Sequence, residues 1–204
     1  MPLFYQHTIN DQAQLAVWHI TEDEIFFLTK VQLQKKINHP HKRLQHLAGR
    51  YLLQMIDPGF PVHSIEIADS NKPVLTDASF HFSISHCGNY AAAIVSATNT
   101  VGIDIEMITP KISSVKNKFL SEQELHLLPL VSNRWLTVLW SCKEAVFKWY
   151  GHGGIDFKEH IVITHVPVHD VAGTVGCRFM KNKETYLHIN FQLFQNLCLA
   201  WVIL

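Results

Sequence analysis

The stretch WSCKEAVFKWYG, Trp140 to Gly151, limits what this chain can fold into more than any other segment. Apolar residues recur with helical period from about Arg134 to Tyr150, and Gly151 with the Gly153-Gly154 pair ends the pattern. Most of the circumference is apolar, so most of this helix must be covered. Projected at 100° per residue, Leu139, Cys142, Ala145, Val146 and Trp149 gather on the core side, and Ser141, Glu144 and Lys148 fall within an arc of about 60° opposite them. Lys143 sits apart, in line with Phe147 and close to Trp140. Glu144 and Lys148 could be a solvated i,i+4 ion pair worth roughly 0.2–0.5 kcal/mol. The other reading is that the three charges do chemistry.

The covering layers are legible elsewhere. Leu44, Leu47, Ala48, Tyr51, Leu52 and Met55 predict an amphipathic helix from His41 to Ile56, stopped by Asp57-Pro58-Gly59. Short strands follow: SIEIAD, PVL, FHFSISHC, YAAAIVSA and TVGIDIEMI. Ser121-Glu122-Gln123-Glu124 has the form of a capping box opening a short helix. After the long helix, HIVITHV, TVGCRFM, TYLHINFQLF and LCLAWVIL predict an antiparallel sheet. The expected fold class is α+β, as two similar α+β halves packed as a pseudo-dimer. The halves are residues 1–106 and 107–204, joined near Met107 to Lys111.

Composition removes several function classes. Lys plus Arg and Asp plus Glu balance at 17 each, so no overall field favours nucleic acid or an anionic membrane. The four cysteines stand apart without a C-x-x-C pair, and the 14 histidines form no H-x-x-x-H pair on a predicted helix. The N-terminus lacks the pattern of a signal peptide, and the longest apolar run, LCLAWVIL, is too short to span a bilayer. The expectation is a soluble, cytoplasmic protein with reduced thiols.

In VGIDIEMI, alternation puts Val101, Ile103, Ile105 and Met107 on one face of a strand and Gly102, Asp104 and Glu106 on the other. The carboxylates are then about 6.6 Å apart along the strand. On an exposed strand water screens their repulsion; on a buried one a cation is the natural compensation, and hard oxygen ligands suit Mg²⁺. Glu144 would add a third carboxylate, and Lys143 and Lys148 beside it would suit a polyphosphate. Ser85 and His86 end a strand, Arg43, His46 and Arg50 share one stripe of the first long helix, and Lys72 sits in an Asn-Lys-Pro turn. Each taken alone is more often structural.

Together these motifs resemble the signature of the 4′-phosphopantetheinyl transferases. VGIDIE, FLSEQEL and WSCKEAVFK are similar to that family's G-I-D-x-E, F-x-S-x-x-E and W-x-x-K-E-x-x-x-K segments, and NKPVL and FSISHC to its G-K-P and S-H-S elements. At 204 residues the chain is about twice the small trimeric carrier-protein synthases, which points to the monomeric surfactin-synthetase-activating type. The resemblance implies transfer of the 4′-phosphopantetheine arm of coenzyme A, the co-substrate, to a serine of an acyl, peptidyl or aryl carrier protein, with release of 3′,5′-ADP. It implies Asp104, Glu106 and Glu144 as ligands of Mg²⁺, or of Mn²⁺, with Glu144 serving as ligand, as base for the serine directly or through a water, or as both. Lys148 would act on the leaving phosphate and Lys143 on the diphosphate. Ser85 and His86 would touch the phosphates and Lys72 the adenosine end, with Arg43 and Arg50 added from the helix stripe. A carrier protein presents its serine on an acidic helix, for which Lys111, Lys116 and Lys118 are candidates. Asn71 replaces the usual glycine before Lys-Pro, a place where Asn tolerates left-handed angles, and Cys87 replaces the second serine of S-H-S. Two rival readings use the same acids or the same fold: a Mg²⁺-dependent coenzyme A diphosphate hydrolase, and a non-catalytic binding module.

Overall fold

Two short strands with no glycine turn between them open the chain. In the computed structural model, which describes residues 2–33, 36–70, 72–169 and 171–204, β1 (Leu3–Asn10) and β2 (Ala13–His19) form an antiparallel hairpin. Asn71 lies outside the described residues. The short helix α1 (Glu24–Leu28) follows, capped by the Asp23 side chain on Phe26 N at 2.9 Å. The helix α2 (Pro40–Ile56) begins at a proline, whose fixed φ suits a first turn and whose missing N–H would be unpaired there anyway. Strands β3 (Ile65–Ile67) and β4 (Pro73–Leu75) pair as a small ribbon, and β5 (His81–Cys87) pairs with β6 (Tyr90–Ser96).

The first compact unit is Met1–Val101. Its sheet has the order β1-β2-β6-β5, and α2 lies across β6 and β2. Leu47, Ala48, Leu52 and Leu53 of α2 are fully buried against Ala16, Ala91, Ala93 and Val95. The small residues on β6 let the helix come close.

The second unit is Gly102–Leu204 and takes in nearly all of β7 (Val101–Met107), with both its carboxylates. Next come α3 (Lys111–Val115) and a 3₁₀ turn at Lys116–Lys118, so the three-lysine stretch is helical, not a plain loop. Helix α4 (Glu122–His126) has the expected capping box: Ser121 Oγ accepts from Glu124 N and Glu124 Oε2 accepts from Ser121 N. Helix α5 (Asn133–Tyr150) is capped by Ser132 and packs on β8 (Ile161–His165), β10 (Thr185–Phe194) and β11 (Leu197–Ile203). With β9 (Ala172–Phe179) the sheet order is β7-β11-β10-β9-β8, antiparallel from β8 to β11. The α5 residues expected on the core side, Leu139, Cys142, Ala145 and Val146, are completely buried, and Trp149 packs edge-on against Phe179.

Among the described residues, no helix is long and apolar enough to cross a membrane. Cys87 is buried in the first unit and Cys142, Cys177 and Cys198 in the second, none of them in a disulfide. Burial raises the Cys142 thiol well above its ordinary range and pushes Cys177 up to about 12.

Gly151 ends α5 in the left-handed region, at φ 73°, with its N–H on Phe147 O at 3.0 Å. A side chain in that conformation costs about 1–2 kcal/mol. Gly151→Ala is expected to lower unfolding stability by about that much in chemical denaturation.

Candidate functional site

The site in the second unit begins with an unusually close backbone approach. A Cβ on Gly102 would overlap the carbonyl oxygen of Ala145 and lie 2.6 Å from Trp149 N. Only a residue without a side chain lets β7 rest directly on α5. The next residues on that face then reach the helix in turn. Asp104 meets Lys148, with Nζ 2.6 Å from Oδ1, and Glu106 Oε1 accepts from Trp140 Nε1 at 3.3 Å.

The spacing of the two motifs follows from this contact. Two residues of strand advance about 6.6 Å, and four residues of helix about 6 Å. Gly102, Asp104 and Glu106 therefore keep nearly in step with Lys148, Glu144 and Trp140 along an antiparallel course. Strand and helix periods that differ in residues agree in length, so two elements bring three acids within electrostatic range of one another.

Electrostatics record the crowding. Burial, then the neighbouring Asp104, pushes the Glu144 carboxyl up to about 7, against the pull of Lys148. Glu106 is raised by burial and then by Asp104. Asp104 is 2% exposed, whereas the Lys148 side chain keeps 24% of its surface open. One ammonium faces three carboxylates, an excess of negative charge that a hard divalent cation would relieve, so the donor set fits Mg²⁺ or Mn²⁺. As the side chains stand, no three His, Cys, Asp or Glu groups among the described residues are drawn together tightly enough to hold a metal ion. Lys148 holds Asp104 instead.

Lys143 requires a correction. It does not join this group. Its side chain is fully buried, with Nζ 2.6 Å from Glu124 Oε1 and donating to Phe157 O at 2.7 Å. Its stem follows the Phe147 side of the helix, and the partner that holds its ammonium comes from a distant part of the chain. A role in meeting a diphosphate is displaced by this core pair.

The first unit brings together part of a second set. Arg50, His46, Gln45 and His86 line a cavity of about 190 Å³, walled by Ile84 and Pro73. Arg50 is 5% exposed, its Nη1 lies 3.1 Å from His46 Nδ1, and burial lowers it to about 10. Lys72 lines a separate cavity of about 240 Å³ with Pro73, Phe80 and His81, and burial lowers its pKa. Two expectations fail here. Arg43 leaves the helix stripe to make a two-pronged pair with Glu24, both contacts at 2.7 Å, and donates to Ile37 O at 2.8 Å. Ser85 is buried on the face of β5 opposite Ile84 and His86, so the strand's alternation keeps it out of the cavity His86 lines.

Sequence reasoning passed over Trp140 and Glu124. Trp140 stands one i,i+4 step before Glu144, which was signal enough to place it on the same row. Glu124 was accounted for by its cap, and its second oxygen gave no sign of itself. The motif residues Trp140 and Phe119 also wall an apolar cavity of about 450 Å³ with Phe157, Val115, Ile155 and Lys118.

Comparison with known proteins gives the family. The family model of the 4′-phosphopantetheinyl transferase superfamily matches residues 100–202, just over half of the chain and all of the β7–α5 site. The 4′-phosphopantetheinyl transferase HetI of Nostoc sp. strain PCC 7120 is 30% identical over 131 residues, 56% of this chain and 54% of that protein. The 4′-phosphopantetheinyl transferase psf-1 of Bacillus pumilus is 38% identical over 93 residues, 43% of this chain and 40% of that protein. The matched segments thus span about half or less of these curated relatives.

Two outcomes follow from this geometry. Gly102→Ala is expected to lower the melting temperature more than Gly151→Ala, because its clash is with helix backbone that cannot swing away. The second concerns pH. Glu144 at about 7 lies above its ordinary 4.5, so the fold favours the neutral acid. That contribution is fully present below the ordinary value and is lost as pH rises through about 7. With EDTA present, Glu144→Gln is expected to be more stable than the parent at pH 8 and to lose that advantage at pH 4, as read from melting temperatures.

Proposed function

Since the chain belongs to the 4′-phosphopantetheinyl transferase superfamily, we propose that it transfers the 4′-phosphopantetheine arm of coenzyme A to a serine hydroxyl of an acyl, peptidyl or aryl carrier protein and releases 3′,5′-ADP. The observation that carries this reading is Glu144, a carboxyl poised at about 7 beside the Asp104–Lys148 pair. In the metal-free protein burial and Asp104 favour the protonated form of this carboxyl, and the same excess of negative charge is what a divalent cation would relieve.

Asp104, Glu106 and Glu144 would hold Mg²⁺, or Mn²⁺ in its place. Bound there, the cation supplies charge neutralisation to the diphosphate. Glu144 accepts the serine proton, directly or through water. Lys148, on a partly open side chain, leaves Asp104 Oδ1 to donate to the phosphate oxygen on which charge grows as the bond to 3′,5′-ADP breaks. Transfers of this kind depend on positioning and charge stabilisation, which suits a site of acids and lysine with no nucleophile of its own. Trp140 keeps Glu106 in place and extends the apolar wall of the 450 Å³ cavity toward it, a surface suited to the pantetheine arm. Arg50, His46 and His86 suit coenzyme A phosphate oxygens, with Lys72 toward the adenosine end. Lys111, Lys116 and Lys118 on α3 and its 3₁₀ turn offer positive charge to an acidic carrier helix. The buried thiols fit a cytoplasmic protein, and we take it to act as a monomer whose two halves divide within β7, at Val101/Gly102, five residues before the expected 106/107 boundary.

The test is intact mass spectrometry of an apo carrier protein incubated with this chain and coenzyme A, with and without Mg²⁺. A Mg²⁺-dependent gain of one phosphopantetheine on the serine is the expected result. Cleaved coenzyme A with an unmodified carrier would point to a hydrolase instead. Asp104→Ala and Glu144→Ala are expected to lower transfer by about 10²–10⁴-fold with the fold intact. Lys148→Ala should depress kcat more than it raises KM for coenzyme A; the reverse pattern would make it a ground-state contact.

A further inference from the structure

The buried Lys143–Glu124 pair is not needed to hold a substrate, and burying an ion pair seldom stabilises a fold by itself. Its connections give it another use. Glu124 Oε2 is tied to Ser121 N at 2.8 Å, and Oε1 accepts from Ile163 N at 2.9 Å as well as from Lys143. One carboxylate thus fastens α4 and β8 to α5. Lys143 Nζ carries the connection on to Phe157 O at 2.7 Å, in the segment after the Gly153-Gly154 pair. The Phe157 ring lies 5.6 Å from Trp140, which also packs against Phe119 at 5.0 Å. Trp140 in turn donates to Glu106.

We propose that Lys143 and Glu124 are positioning residues that set the rotation of α5 against β7 and, through Phe157 and Trp140, hold Glu106 and Glu144 in place for the cation. Lys143 adjoins Glu144 on a rigid helix, so fixing one side chain's azimuth fixes the other's, about 100° away. An apolar residue at 143 would fill the space without specifying a rotation. A pair with two hydrogen-bonded ends accepts only one. This inference rests on the reading of Asp104, Glu106 and Glu144 as cation ligands.

The test is Mn²⁺ binding to the coenzyme A-free protein, followed by electron paramagnetic resonance of free Mn²⁺. Lys143→Met removes a positive charge, and by charge alone it should tighten cation binding. Positioning predicts the opposite sign, a loss of about 10-fold, the lower end of what supports behind metal ligands usually contribute. A lysine that met only the diphosphate would leave Mn²⁺ binding in this protein unchanged, or tighter through the loss of its charge. Circular dichroism checks the fold. Because Lys143→Met strands the Glu124 charge, the neutral double variant Lys143→Met with Glu124→Gln is measured beside it, and the same loss is expected. Phe157→Ala keeps the ion pair and removes a half-buried ring; it too is expected to weaken Mn²⁺ binding. Unchanged or tighter binding in the folded variants overturns the proposal while the cation site stands. A parent protein that binds no Mn²⁺ overturns the cation site, and this inference with it.

Discussion

Everything in the second unit's site depends on the backbone contact between Gly102 and α5. A side chain at that position would push the strand off the helix, and the three acids would face solvent at separations where water screens them. With the contact made, a strand that advances two residues per step and a helix that advances four keep pace. The spacing of the signature is therefore the spacing of two regular structures laid side by side. It does not need a loop to gather its functional groups, and the groups inherit the rigidity of the elements that carry them.

Adjacent charged residues on α5 meet opposite conditions. Lys143 points into the core and finds a carboxylate and a carbonyl within 2.7 Å. Glu144 points toward two other acids and finds a surplus of its own sign. The first arrangement is closed and satisfied, and the second is left unsatisfied in the protein alone. Strain of this electrostatic kind is common where a site awaits a charged ligand, because the neighbours that destabilise the free form are those that bind.

The sequence disclosed whatever local rules govern. Alternation in VGIDIEM gave both faces of β7, helical period gave the core side of α5, and the Ser121–Glu124 cap appeared as expected. What stayed hidden depended on partners distant in the chain. Arg43 lay on a plausible phosphate stripe until Glu24 claimed it, and Lys143 fitted a diphosphate until Glu124 did. In both cases the nearby sequence could not reveal the acid. The hairpin of β1 and β2 was missed for a local reason: its turn, at Asp11-Gln12, has neither glycine nor proline to mark it. Ser85 and His86 were grouped by adjacency, though neighbours on a strand face opposite ways.

The arrangement of the cysteines gives the molecule a built-in record of its own opening. A thiol reacts as its thiolate; all four are buried away from solvent, and burial raises Cys142 and Cys177 further out of reach of ionisation. Alkylation must therefore wait for local or global unfolding. Cys87 marks the first unit and the other three mark the second, so peptide-resolved labelling over time would follow each unit separately with no probe introduced. Whether the two halves melt as one cooperative body or in succession becomes a question of which sulfur is modified first.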